Sequence, residues 1–193
     1  MDSNANRLAH QVNACSQSAI YRHAAFAVAL FLFASFGSAA GDQWTPRLEG
    51  RVTDVANALS NAERNRLADQ LARYERETSH QIAVLLIPTL SGERIESFSR
   101  RVANSWKLGR EGLDNGILVT LAMKERAVRI EVGLGMERFI SNATALSIIN
   151  TSMVPAFRKG DYGGGLEAGL EQLMREGRRF IVSPVDAEPT RRR

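Results

Sequence analysis

Six consecutive apolar residues, Ile82-Ala83-Val84-Leu85-Leu86-Ile87, constrain the fold more than any other feature of this chain. A strand with one wet face alternates apolar and polar side chains. An uninterrupted run closed by Pro88 reads instead as a strand buried on both faces, which requires helices above and below the sheet. The surrounding sequence supplies them. Ser60-Asn61-Ala62-Glu63 has the spacing of a capping box, and Leu67, Leu71 and Tyr74 follow at helical intervals, predicting a helix to about Glu77. Ile95, Phe98, Val102 and Trp106 predict a second amphipathic helix, stopped at Lys107-Leu108-Gly109.

The segment Gly116 to Val132 predicts a hairpin, with strands Ile117 to Ala122 and Ala127 to Val132 flanking the polar turn Met123-Lys124-Glu125-Arg126. Matching apolar side chains across the pair gives a register: Ile117 opposite Val132, Val119 opposite Ile130 and Leu121 opposite Val128. Leu118 then faces Glu131, and Thr120 faces Arg129. Ser141 or Asn142 caps a third helix that runs to about Met153 and is stopped by Pro155. A fourth carries Leu166, Leu170, Leu173 and Phe180. Because a helix separates the strand at Gln81 from the one at Gly116, those two are expected to be parallel, joined by a right-handed crossover. The expected fold is α/β, a three-layer α-β-α sandwich on a small mixed sheet with about four helices.

Composition assigns the ends of the chain. Arg22 and His23 precede the apolar stretch Ala24 to Phe36, and Ser38 and Ala40 have the small-residue spacing that signal peptidase reads. The stretch is shorter than the roughly 20 residues of a relaxed membrane span, which favours cleavage over permanent anchoring. Residues 1–40 are thus expected to be a signal peptide or an N-terminal membrane anchor. Residues 41–181 form the domain, and 182–193 a disordered tail ending in three arginines. Export places the domain in the periplasm or another extracytoplasmic space, or tethers it to the membrane through an uncleaved helix. The 44% hydrophobic content excludes a disordered chain. A formal net charge of +4, with basic residues interleaved among acidic ones, gives no nucleic-acid footprint.

Residue counts remove several mechanisms. The only cysteine, Cys15, lies in the expected signal, so the domain has neither disulfide nor thiol nucleophile. Of three histidines, only His80 follows that segment, too few for a His-rich zinc site or paired imidazoles. His80 itself reads as a polar residue in a turn before a strand.

Val52-Thr53-Asp54, Leu59-Ser60, Gln81-Ile82-Ala83-Val84, Trp106-Lys107-Leu108-Gly109, Asp114-Asn115-Gly116, Arg126, Gly133-Leu134-Gly135-Met136-Glu137, Pro155-Ala156-Phe157 and Asp161-Tyr162 occur here in one order. In that order and spacing the chain resembles the TPM-domain family of exported and lumenal proteins. The resemblance implies a three-layer sandwich and, in some members, divalent-cation binding. It also implies acid phosphatase activity attributed to plant thylakoid members, and accessory roles beside membrane complexes in others. Asn142 departs from that pattern where many members carry Asp, as do Leu134 for Tyr and Asn57 for Gly.

The hairpin itself locates a candidate site. Antiparallel strands bring the loop before the first strand, Asp114-Asn115, beside the loop after the second, Gly133 to Glu137. Asp114, Asn115 and Glu137, joined by Asp54 from the N-terminal loop, form a candidate oxygen-ligand set for Ca²⁺ or Mg²⁺. Each has a plainer reading: Asp114-Asn115-Gly116 is also an ordinary turn, and Asp54 a cap for Val55 to Leu59. Gly133 and Gly135 alone are a weak phosphate signal. Arg126 and Arg129 read as surface charges of the hairpin, either able to meet a phosphate. A second candidate cleft lies at Pro88 to Gly92, where Ser91 and Glu93 begin a helix whose amides can receive an anion.

The leading expectation is a noncatalytic divalent-cation-binding accessory module of the cell envelope, docking on a membrane protein or envelope complex. The alternative is a metal-assisted acid phosphatase, with Asp114 and Glu137 holding the ion and an arginine steadying the phosphoryl oxygens. No catalytic nucleophile is identified, and no organic cofactor is expected.

Overall fold

The computed structural model describes residues 44–179, and the α/β unit begins at Thr45. The expected signal segment, the basic tail and Phe180 lie outside the described residues. Among those described, no helix is long and apolar enough to cross a membrane.

A four-stranded sheet has the order β1-β2-β3-β4, with β1 Val52–Asp54, β2 Gln81–Ile87, β3 Gly116–Ala122 and β4 Ala127–Val132. β1 and β3 flank β2 in parallel, and β4 returns antiparallel to β3. Ile117 pairs with Val132, Val119 with Ile130 and Leu121 with Val128, the register that apolar matching demands. β1 is a correction, because Val52 to Asp54 reads as loop in the sequence. Three residues are too few to show a period, and only pairing with Val84 to Leu86 makes them a strand.

The helices divide unequally between the faces. α1 Asn61–Thr78, α3 Asn142–Ile148 and α5 Tyr162–Gly177 cover one side, where Leu67, Leu71, Ile148, Leu166 and Leu170 meet Val84, Leu86, Val119 and Ile130. α2 Ile95–Ser105 alone covers the other, setting Phe98 and Val102 on Ala83, Leu85 and Leu118. Burying one such Leu or Phe is worth about 1.5–3 kcal/mol, so the thinner second layer still contributes substantially. A buried polar contact crosses between helix and sheet on this side, Ser99 Oγ donating to Thr120 Oγ1 at 2.9 Å.

Pro155 does not stop the helix before it. The chain passes from α3 through a π-helical turn, Ile149–Met153, into α4 Val154–Phe157, and the Val154 amide reaches back to the Ile149 carbonyl. Proline lacks the amide that a regular ladder needs, and one wide turn shifts the ladder by a residue so that the helix continues past it. His80 is likewise no exposed turn residue. It is fully buried, with Nδ1 2.8 Å from the Tyr74 hydroxyl.

Candidate functional site

Two loops meet at the amino-terminal end of β3. The first bends sharply: Asp114 has φ 46°, a left-handed conformation that Asp tolerates better than most residues. Asn115, next in sequence, is fully buried. Its Oδ1 accepts from the Arg110 amide at 2.8 Å, and its Nδ2 donates to the Ser79 carbonyl at 2.9 Å. The second loop rests on this bend through Gly133 and Gly135. Their amides donate to Gly116 O at 2.8 Å and Asp114 O at 3.2 Å, and a β-carbon on either would collide with the Leu113–Asp114 backbone. The glycines of Gly133-Leu134-Gly135 therefore serve backbone-to-backbone contact and not a phosphate cradle.

The junction opens into a cleft of about 420 Å³ whose lining includes Asp114, Glu131, Glu137 and Arg100. Asp114 and Glu137 are both exposed, and both line this cleft. Glu131 is committed, receiving Arg100 at 3.2 Å and Arg129 at 2.9 Å. A recess of about 240 Å³ continues from it past Glu137 to Ser141 and Asn142. Ser141 Oγ caps α3 by accepting from the Thr144 amide at 3.2 Å, and Asn142 supplies an amide at the position where a carboxylate is common in the resembled family.

The four residues proposed as ligands thus separate. Asp114 and Glu137 share a cleft. Asn115 borders it in sequence, but both ends of its side chain are bonded to backbone. Asp54 is elsewhere: it ends β1 at the carboxyl edge of the parallel strands, the edge away from Asp114. Its carboxylate is buried, accepting from the Ala58 amide at 3.1 Å and the Leu59 amide at 2.9 Å, with Arg64 at 3.8 Å. It ties down the loop ahead of α1, whose N-cap is Ser60, and lies apart from the other three. Among the described residues no group of three or more His, Cys, Asp or Glu side chains could hold a metal ion. The residues present fit a divalent cation only partly, with two carboxylates and the carbonyls of the bend as donors.

The anion-receiving turn read at Pro88 to Gly92 exists, but the chain fills it. The Glu125 carboxylate accepts from Thr89 Oγ1 at 2.7 Å and from the Leu90 amide at 3.1 Å. The Thr89 hydroxyl, with help from the Leu90 amide, holds that carboxyl below its ordinary value. α2 itself has Arg94 as its N-cap, with no side-chain capping bond.

A larger cleft, about 630 Å³, lies at the other end of the hairpin, between the β3–β4 turn and the α4–α5 connection. Arg126, Arg158, Lys159, Phe157 and Tyr162 line it. Sequence reading singled out Arg126 as able to meet a phosphate, and Phe157 and Tyr162 only as part of the resemblance; Arg158 and Lys159 carry no local signal, and these four come from a segment some 30 residues away that converges on Arg126 through the helix that Pro155 fails to stop.

Comparison with known proteins follows the same lines. The family model for the TPM domain matches residues 52–176. The N-terminal domain of a protein from P. gingivalis, solved by NMR, is 32% identical with a TM-score of 0.61, covering 68% of this chain and 86% of its own. The BA42 protein of Bizionia argentinensis, at 21% identity and TM-score 0.59, covers 70% of this chain and 92% of its own. The N-terminal domain of the cg2496 protein from Corynebacterium glutamicum, at 17% and 0.55, covers 77% and 93%. The last two speak for the fold alone. No curated protein matches this chain. From the family model and the P. gingivalis relative together, the chain belongs to the TPM domain family.

Proposed function

We propose that this chain is an exported, noncatalytic interaction module that holds a divalent cation weakly between Asp114 and Glu137 and docks on a membrane protein or envelope complex. The observation that supports it is the shared cleft: two exposed acidic residues, from loops locked together by backbone hydrogen bonds, line one hollow at the rim of the hairpin. Ca²⁺ and Mg²⁺ favour hard oxygen donors, and a site with only two carboxylates completes its shell with carbonyls and water. Affinity is accordingly low, in the range of about 10⁻⁴–10⁻³ M found for extracellular calcium modules. Exposed Leu134, on the rim of the same cleft, gives a partner an apolar foothold beside the ion.

Calorimetric titration of the purified protein with Ca²⁺ and Mg²⁺ tests the cation, with Asp114→Asn and Glu137→Gln each expected to abolish the heat. Silence at millimolar cation in the wild-type protein removes it from the proposal. A pull-down from solubilised membranes, with and without chelator, tests docking.

The phosphatase reading retains one supporting feature: Arg100 lines the same cleft as the two carboxylates. Against it, Arg100 is drawn to Glu131, and His80, the sole imidazole among the described residues, is buried against Tyr74. A chromogenic phosphate ester assayed beside Asp114→Ala decides between them, since equal residual rates indicate a contaminating enzyme.

A further inference from the structure

The 630 Å³ cleft at the carboxyl end of β3 is independent of the proposed cation site. It lies at the far end of a seven-residue strand and on the face covered by α5, whereas the Asp114 cleft lies against α2. Carboxyl ends of parallel strands are where open α/β sheets usually take ligands. Its size falls within the roughly 300–1,000 Å³ of small-molecule sites.

Its chemistry is one-sided. Arg126 enters from the hairpin turn, and Arg158 and Lys159 from the turn after α4. All three are exposed, and among the described residues none makes a side-chain hydrogen bond or ion pair. Among the described residues no carboxylate lines the cleft. The acidic residues beside it in sequence are held elsewhere: Glu125 by Thr89 and Leu90, and Asp161 by the Gly164 amide at 2.8 Å, where it caps α5. Three like charges around one hollow repel each other, and an anion bound among them relieves that repulsion. The wall beneath them is apolar. Phe157 and Tyr162 stand with ring centres 5.8 Å apart, tilted by 38°, and Met123 closes the side towards the hairpin.

We infer that this cleft binds a small organic anion, its carboxylate or phosphate-type head held by Arg126, Arg158 and Lys159 and its aromatic or aliphatic body laid on Phe157 and Tyr162. Guanidinium groups pair with either head through parallel N–H donors, and the rings add contact that a bare inorganic ion cannot use.

The test is a heteronuclear NMR titration of the purified full-length protein with phenylphosphonate, benzoate and inorganic phosphate, each with and without chelator. Saturable shifts of the Met123, Gly160 and Tyr162 amides by either aromatic anion, unchanged by chelator, are expected, and the tighter of the two identifies the head. Inorganic phosphate should bind at least about tenfold more weakly, the equivalent of 1.4 kcal/mol for the missing body. The double variant R158E/K159E should lose at least about tenfold in affinity, consistent with the loss of two charge-assisted partners, at an unchanged melting temperature. Absence of saturation by either aromatic anion at about 10 mM, well past the millimolar range of a minimal site, overturns the inference. So does equal binding of inorganic phosphate, or an affinity indifferent to the double reversal. Because chelator and Asp114→Asn leave this site alone, its failure is distinguishable from failure of the cation reading.

Discussion

The Gly135 amide donates to the Asp114 carbonyl at 3.2 Å, and this bond, with Gly133 to Gly116, holds the two loops of the candidate cation site against each other. A side chain at 135 has nowhere to go, since its β-carbon would meet the Leu113 carbonyl oxygen and backbone cannot swing aside as a flexible side chain can. Gly135→Ala is therefore expected to cost about 1–3 kcal/mol, the usual penalty for overpacking, and to weaken any response to Ca²⁺ by parting Asp114 from Glu137. Urea denaturation measures the first effect and calorimetry the second. A variant as stable as the wild type would show that the loops are not tightly joined.

Asp54 offers the contrasting case. Its buried carboxylate accepts from two amides at the entry to α1, so Asp54→Ala leaves both donors without that acceptor, a loss of about 1–3 kcal/mol in denaturation experiments. Asp54→Asn keeps one acceptor oxygen and should lose less. Neither variant is expected to alter Ca²⁺ or Mg²⁺ titrations, because the residue sits at the opposite edge of the sheet. A cation response that vanishes in Asp54→Asn while the fold is retained would restore it as a ligand.

The division between what was legible in the sequence and what was not follows from the range of the interactions. Local periodicity carried the long elements: the capping box at Ser60, the apolar run of β2, and a hairpin register in which a one-residue slip would turn Ile130 outward. β1 was not legible, because three residues carry no period and their strand character depends on Val84 to Leu86. Pro155 misled for a related reason. Whether a proline ends a helix or is absorbed by a π turn is decided by the packing of Met153 and Phe157 against α5, which no local pattern records. At the site, antiparallel geometry places the loops of Asp114 and Glu137 on one cleft. Asp54 and Asn115 are polar residues whose partners are backbone groups, and sequence does not distinguish such a carboxylate or amide from a ligand. The basic cleft was invisible for want of a motif: Arg126 and Arg158 become neighbours only in three dimensions.

The capping box makes a pH prediction. Ser60 donates its hydroxyl to Glu63 at 2.6 Å and its amide at 2.7 Å, while the Glu63 amide reaches Ser60 Oγ at 3.3 Å. The Ser60 hydroxyl is the larger influence holding the Glu63 carboxyl below its ordinary 4.5, followed by the Ser60 amide. A depressed folded value means the ionised form stabilises the native state. That contribution is complete above 4.5 and is lost as pH falls through the folded value. Ser60→Ala should cost about 1 kcal/mol at neutral pH and progressively less in acid, read from denaturation midpoints of the two proteins across that range. A difference independent of pH would mean that the cap does not depend on the Glu63 charge.

Tyr74 provides the converse sign at the alkaline end. Its ring is 1% exposed, its hydroxyl meets His80 Nδ1 at 2.8 Å, and the Arg178 guanidinium lies over its face at 5.3 Å. Burial pushes the phenol from 10 up to about 12, outweighing the opposing pulls of the Thr78 hydroxyl and the Arg178 charge. The neutral form is thus favoured in the folded protein, whereas the unfolded chain ionises near 10. Stability from this residue is intact below 10 and drains away as pH rises from 10 towards 12, with a limiting slope of about 1.4 kcal/mol per pH unit. Other groups titrate in the same window, so the informative quantity is the difference between wild type and Tyr74→Phe. At pH 8 the variant should be less stable by about 0.5–1.5 kcal/mol for the lost hydrogen bond, and between pH 10 and 12 that gap should close and reverse. Tyrosinate absorbance should show one phenol resisting ionisation until the protein unfolds. A gap that stays constant to pH 12 would mean that Tyr74 ionises in the folded state as readily as in the unfolded chain.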